Sequence, residues 1–258
     1  SFKSIEAART EAAARARRVF ENLGALERRD SYDYLERPLR EEIYDTLVHE
    51  DSDIAVITRN RYGALVLNAA AVCFVDIDFS PAKAKGFMDA LRMFFEPQRK
   101  RQRALEQQEN IINSVFQWSH ENPERSLRMY QTAAGLRLLF TDRLYAPTSD
   151  EIAELLQTLG SDKLYQRLTR KQECFRARLT PKPWRCGCRR PPSRYPWETQ
   201  QEEEAYRAWE AEYQQKSDRY GVCRLITSIG DAAENEQIAA VIEIHDRYTC
   251  LDPALSLA

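Results

Sequence analysis

The chain has 258 residues, 43% of them hydrophobic and 30% charged, with 8 Gly, 11 Pro and a net charge of −2. This composition excludes collagen-like, low-complexity and wholly disordered classes, and the length suffices for a sizeable core in one large domain or two small ones. No run approaches the roughly 18 apolar residues of a membrane span, and Ser1-Phe2-Lys3-Ser4-Ile5-Glu6 lacks the apolar centre of a secretory leader, so the expectation is a soluble, cytoplasmic protein.

Of the 38 basic residues, 8 are Lys, which leaves 30 Arg. Genomic base composition accounts for such an excess as readily as phosphate or carboxylate recognition does. The 6 cysteines read as reduced thiols in a chain of this length without a leader. Cys186-Gly187-Cys188 is spaced more tightly than the usual zinc pair, and no second pair follows, so buried thiols are the plainer expectation.

Residues 4–28 predict a helix rich in Ala, Arg and Glu, and 36–49 a second, with Leu39, Ile43, Leu47 and Val48 on one side. Together they make a helical N-terminal extension over residues 1–50, read as packing on a core or, alternatively, as a partner-binding arm. The texture then turns β-like, opening an α+β domain over 51–258. Asp53–Thr58 and Ala64–Leu67 are strands around the turn Asn60-Arg61-Tyr62-Gly63. Ala71–Phe79 is an apolar strand closing on two aspartates. Ser80-Pro81 opens a helix to about Phe95, and residues 98–119 resume helically until Asn122-Pro123. Leu127–Thr132 and Leu136–Thr141 form a hairpin, with Gly135 expected at positive φ in its turn. Helices follow over 148–159 and 161–170, a half-buried strand over 173–179, an ordered surface loop over 180–198 and a polar helix over 199–216. Gly221–Ile226 reads as a strand, and Ile238–Asp246 as a second apolar strand tipped by an acid. The fold class is α+β, with a mixed or antiparallel sheet packed with helices.

Three groupings carry chemistry. Asp76 and Asp78, two apart on a strand, project from one face. If the strand ending in Asp246 were a neighbour, three carboxylates would meet at one sheet edge, a donor set for Mg²⁺ or Mn²⁺ and for in-line attack on phosphate. The plainer alternative is that acids simply solvate strand ends. Second, Thr132-Ala133-Ala134-Gly135-Leu136-Arg137 sets a hydroxyl, backbone amides and a guanidinium around one bend, which can cradle phosphate or be an ordinary hairpin turn. Third, residues 167–194 hold ten basic side chains, among them Arg176, Arg178, Lys182, Arg189 and Arg190, against Glu173 alone. Phe175, Trp184 and Tyr195 interleave with them, as in a groove that pairs phosphates and stacks bases. The competing account is internal neutralisation by the glutamates of 198–212.

The order of these segments resembles the archaeo-eukaryotic primase superfamily, including its primase-polymerase branch, on Phe74-Val75-Asp76-Ile77-Asp78, Thr132–Arg137 and Ile242-Glu243-Ile244-His245-Asp246. The resemblance spans residues 54–250 and implies an RNA-recognition-like (RRM-like) sheet, two divalent metals and nucleoside triphosphates. It would make Asp76, Asp78 and Asp246 the catalytic metal ligands and put Thr132, Gly135 and Arg137 at the nucleotide phosphates, to which the basic run adds Arg176, Arg178 and Lys182 as the rest of the phosphate-binding set. One departure matters: Arg137 stands where the family has a nucleotide-contacting His, and Arg holds phosphate but does not titrate near neutrality. No Gly-x-Ser-x-Gly, P-loop or Gly-x-Gly-x-x-Gly motif occurs. Three readings follow: a metal-dependent nucleotidyltransferase-like protein acting on nucleotides or nucleic acid, a non-catalytic module binding nucleotide or single-stranded nucleic acid, or a structural protein whose charges pair internally.

Overall fold

The structure is a computed structural model and describes residues 41–79, 97–231, 235–250 and 252–258. The chain divides into two compact units, Ser1–Leu39 and Arg40–Ala258. The first unit, and with it the predicted helix over 4–28, lies outside the described residues, as does the predicted helix over 80–95.

The second unit is α+β and its four-stranded sheets are antiparallel. Strands β1 (Glu42–His49), β2 (Ser52–Arg59), β3 (Leu65–Ala69) and β7 (Phe175–Arg178) form one sheet in the order β1-β2-β3-β7. Strands β4 (Phe74–Asp78), β5 (Leu127–Thr132), β6 (Gly135–Phe140) and β9 (Cys223–Ile229) form the other in the order β4-β6-β5-β9. A short parallel pair joins β8 (Tyr220–Gly221) to β10 (Ser256–Leu257). The helices are α1 (Pro97–Glu121), α2 (Asp150–Thr158), α3 (Lys163–Gln172), α4 (Gln200–Ser217) and α5 (Glu236–Thr249). Local chemistry starts several of them: Ser149, Asp162, Thr199 and Asn235 each accept a backbone N–H of the first turn of α2 to α5. One apolar cluster, including Ile57, Leu67, Phe74, Leu138, Phe140, Phe175 and Val241, runs through both large sheets and the helices over them.

Three sequence expectations are corrected. The helix expected over 36–49 is strand β1 where it is described, from Glu42. Ile43, Tyr44, Thr46 and Val48 suit a pleated surface, and Glu50 and Asp51, both left-handed at φ 45° and 60°, close a two-residue hairpin onto β2. The strand expected over Ile238–Asp246 is helix α5. Its buried positions Ile238, Val241, Ile244, His245 and Thr249 recur at helical spacing, and the Asn235 cap fixes its start. Gly135 is not left-handed; the turn residues are Ala133 and Ala134. Glycine is needed there because a Cβ would sit 2.0 Å from the Ile77 carbonyl oxygen, across the β4–β6 ladder.

Candidate functional site

Asp76, Arg137 and Tyr130 lie directly opposite one another across β4, β6 and β5, so they share a face of the sheet. Arg137 is 1% exposed. Its Nε donates to Asp76 Oδ1 at 2.8 Å and its Nη2 to Asp76 Oδ2 at 3.2 Å, a bidentate pair. Its Nη1 donates to the Arg178 carbonyl at 2.9 Å, which ties the β4 sheet to β7. Burial opposes the charge on Arg137, but the Asp76 carboxylate outweighs it and holds the guanidinium ionised.

Helix α5 covers this row. His245 is fully buried, with Nε2 at 3.4 Å from Arg137 Nη1 and Nδ1 at 2.9 Å from Asp246 Oδ1. Arg can only donate, so Nε2 is the acceptor and the neutral ring donates from Nδ1 to Asp246. Burial, and then the Arg137 charge, push the imidazole pKa down to about 4. Asp246 also accepts from the Tyr130 hydroxyl at 2.8 Å and pairs with Arg128 at 2.9 Å. Burial would raise its pKa, yet the hydrogen bonds from His245 and Tyr130 hold it below the usual carboxylate range. A continuous polar chain therefore runs Asp76–Arg137–His245–Asp246–Tyr130. On a strand His245 and Asp246 would face opposite ways; on a helix, neighbours about 100° apart can touch.

These contacts decide what the predicted ligands can do. The Asp76 carboxylate is taken up by Arg137, and that of Asp246 by Arg128, Tyr130 and His245. Asp246 stands on a helix rather than at a strand tip, so the expected rim of three acids is replaced by paired charges. Among the described residues no three His, Cys, Asp or Glu side chains group as metal ligands. This donor set does not fit the Mg²⁺ or Mn²⁺ pair that the primase resemblance implies. Nor is Arg137 free for phosphate. In the turn, the Ala134 N–H donates to Thr132 Oγ at 3.4 Å, so this amide of the expected cradle is already used. Gly135 serves close strand packing. Arg176 is bound to Glu41 through Nη2 at 2.8 and 2.9 Å and also leaves the anion-binding set.

What remains open lies at the end of β7 and in the loop after it. Asp78 is exposed on the same strand face as Asp76, and its pKa is raised by burial, then by Asp162 and Asp76. Near it stand Arg178 and Lys182, and Arg185 lies near those two. None of the three forms an ion pair among the described residues, and Arg178 Nε is buried without a hydrogen-bond partner. Burial, and then Arg137, pull the Arg178 pKa down to about 10. Burial also lowers Lys182, with Arg178 and Arg185 adding to it. A buried cation without a counter-ion is costly, and an anion supplied from outside removes that cost.

The cationic surface continues over the exposed Trp184 and the half-buried Tyr62. Trp184 is 47% exposed and meets Tyr62 edge to face at 5.3 Å. The Arg190 guanidinium lies 5.6 Å from the Tyr62 ring and 5.8 Å from Trp184, and Lys182 Nζ lies 5.8 Å from Trp184. The loop bearing these groups is anchored from α4. Trp209 Nε1 donates to the Arg189 carbonyl at 2.9 Å, Tyr213 Oη to Pro181 at 2.5 Å and Lys216 Nζ to Gly187 at 3.3 Å. Cys186 and Cys188 are buried with Tyr206, Trp209 and Tyr213. Burial pushes the Cys186 thiol up to about 11, and both side chains pack as small, weakly polar groups among these rings.

The α4 glutamates do not neutralise this surface. Glu203 and Glu210 pair with Arg207, Glu210 also with Arg59, and Glu212 with Lys216. Among the described residues, Arg176 is the single member of the ten basic residues over 167–194 that forms an ion pair. Sequence reasoning found Trp184 and the basic run but missed Tyr62; an aromatic residue beside Arg61 in the turn was the available signal. It also counted Phe175, which is fully buried in the core. Among the described residues no helix is long and apolar enough to cross a membrane. No family model, curated protein or solved structure matches this chain.

Proposed function

We propose that this protein is a non-catalytic module that binds nucleotide or single-stranded nucleic acid on the face formed by the end of β7, the loop over 180–194 and the turn over 60–63. Phosphates lie on Arg178, Lys182 and Arg185, and a base stacks on Trp184 beside Tyr62 and Arg190. The observation that carries this reading is the basic run that α4 leaves unpaired, held rigidly beside an exposed tryptophan. Preorganisation favours binding, because the loop is ordered before the ligand arrives. The primase-type resemblance supplies a scaffold in this reading and no metal chemistry, since Asp76 and Asp246 are engaged by protein groups.

The test is fluorescence anisotropy of a labelled single strand of about a dozen nucleotides, a length that one such groove can cover. Affinity should fall steeply between about 50 and 200 mM salt, as phosphate contacts require. Absence of binding, or binding indifferent to salt, rejects the reading. Formation of phosphodiester bonds by the protein with Mn²⁺, lost in Asp76→Asn, would replace it with the catalytic alternative.

A further inference from the structure

A cleft of about 620 Å³ lies among β1, β2, α4 and α5 and shares none of its lining with Arg178, Lys182, Trp184 or Tyr62. Its volume is that of a small-ligand site. Leu65, Leu179 and Pro181 give the buried lining an apolar part, beside the buried Tyr213, Ser217 and Arg59. Arg59 and Arg207 also line it, and they alternate with Glu42 and Glu210 in a closed ring of four charges. Arg59 Nε lies 3.3 Å from Glu42, Arg207 is 2.5 Å from Glu42 and 2.9 Å from Glu210, and Arg59 Nη2 closes the ring on Glu210. Two cations and two anions cancel, so this part of the wall offers a ligand no unmatched charge.

The unmatched charges are Arg247 and Asp218, neither ion-paired among the described residues. Asp218 ends α4 in an exposed position, flanked in the chain by Arg219 and close to Lys216. Arg247 stands against aromatic surface: its guanidinium is 5.9 Å from the Tyr248 ring, and the half-buried Tyr248 and the exposed Tyr44 both line the cleft. Apolar floor, tyrosine rings and one unpaired guanidinium complement a flat ring with an anionic substituent.

We propose that this cleft binds a planar aromatic molecule bearing one anionic group, its ring against Tyr44 and Tyr248 and its anion on Arg247. The same chemistry occurs in aryl carboxylates and in nucleoside monophosphates. Isothermal titration of the full chain with 1-naphthoate, adenosine monophosphate and uncharged 1-naphthamide separates the two sources. At least one anion should bind about tenfold more tightly than the amide, the advantage of a charge-assisted hydrogen bond. The tighter of the two anions identifies the source. Arg247→Gln should erase the anion preference, and Gln214→Trp, an exposed lining position, should block both anions by filling the cleft. Trp184→Ala should leave this binding unchanged, which keeps it separate from the basic face. Failure of both anions to bind more tightly than the amide, a preference that survives Arg247→Gln, or no anion binding at all would overturn the proposal.

Discussion

Arg137 and Arg178 are neighbours in space and opposites in circumstance. The Arg137 guanidinium donates to a carboxylate, a carbonyl and an imidazole inside the core. That of Arg178, on β7 of the other large sheet, has a buried Nε with no partner and a pKa lowered to about 10. The first cation is matched by the Asp76 carboxylate of β4, donates further to the neutral His245 of α5, and serves cohesion. The second is unmatched and faces a surface where Lys182, Arg185 and Arg190 are also unpaired. Residue type alone does not assign a functional arginine; the location of its counter-ion does.

The contrast can be broken first at Arg137. Arg137→Met strands the Asp76 carboxylate and should cost about 4 kcal/mol in denaturant unfolding. Adding Asp76→Asn should recover part of that loss, because the pair and not either charge alone is stabilising. Gly135→Ala should cost about 3 kcal/mol by the same measurement, since its Cβ collides with the Ile77 carbonyl and the ladder must shift.

A pH series probes the same buried row. His245 takes up a proton near 6.5 in the unfolded chain but only near 4 in the folded one. Between those values the unfolded state binds more protons. The stability from this residue is therefore complete above about 6.5, falls as the pH drops toward 4 and is constant below, on the order of 3 kcal/mol in all. His245→Gln should flatten that segment of the stability curve; an unchanged slope would assign it to other groups.

On the surface, the expected effects are on binding and not on folding. Trp184→Ala should weaken single-strand binding by about 2 kcal/mol with unfolding shifted by less than about 0.5 kcal/mol. Arg190→Ala should produce the smallest change, a loss of about 0.5 kcal/mol in single-strand binding as the cation beside the stacking rings is removed. If Arg190→Ala instead lowers stability by as much as Arg137→Met, the distinction between the two kinds of arginine fails.

Much of the fold was readable in order. The strands at Asp53–Thr58 and Phe74–Asp78, the hairpin from Leu127 and the helices capped by Ser149 and Thr199 follow from local pattern and cap chemistry. The reading failed where local chemistry was ambiguous. Ile238–Asp246 is short, apolar and rich in β-branched residues, which suits a buried strand and a buried helix face alike. Glu50-Asp51 carries no glycine to announce a tight turn. At the candidate site, the sequence marked Asp76, Asp78, Arg137, Arg178 and Trp184 but not which of them would be engaged with one another.

The amino-acid sequence by itself determined the α+β class, the acid-tipped strand β4 and a basic, aromatic loop, because these rest on periodicity, capping and composition over a few residues. Only the tertiary structure decided which charges cancel. Arg137 meets Asp76 across 61 positions of chain and His245 across 108, while α4 sends its glutamates to Arg59, Arg207 and Lys216 and leaves the loop uncovered. Electrostatic pairing depends on distance in space and on burial, and neither is encoded in any local run of residues.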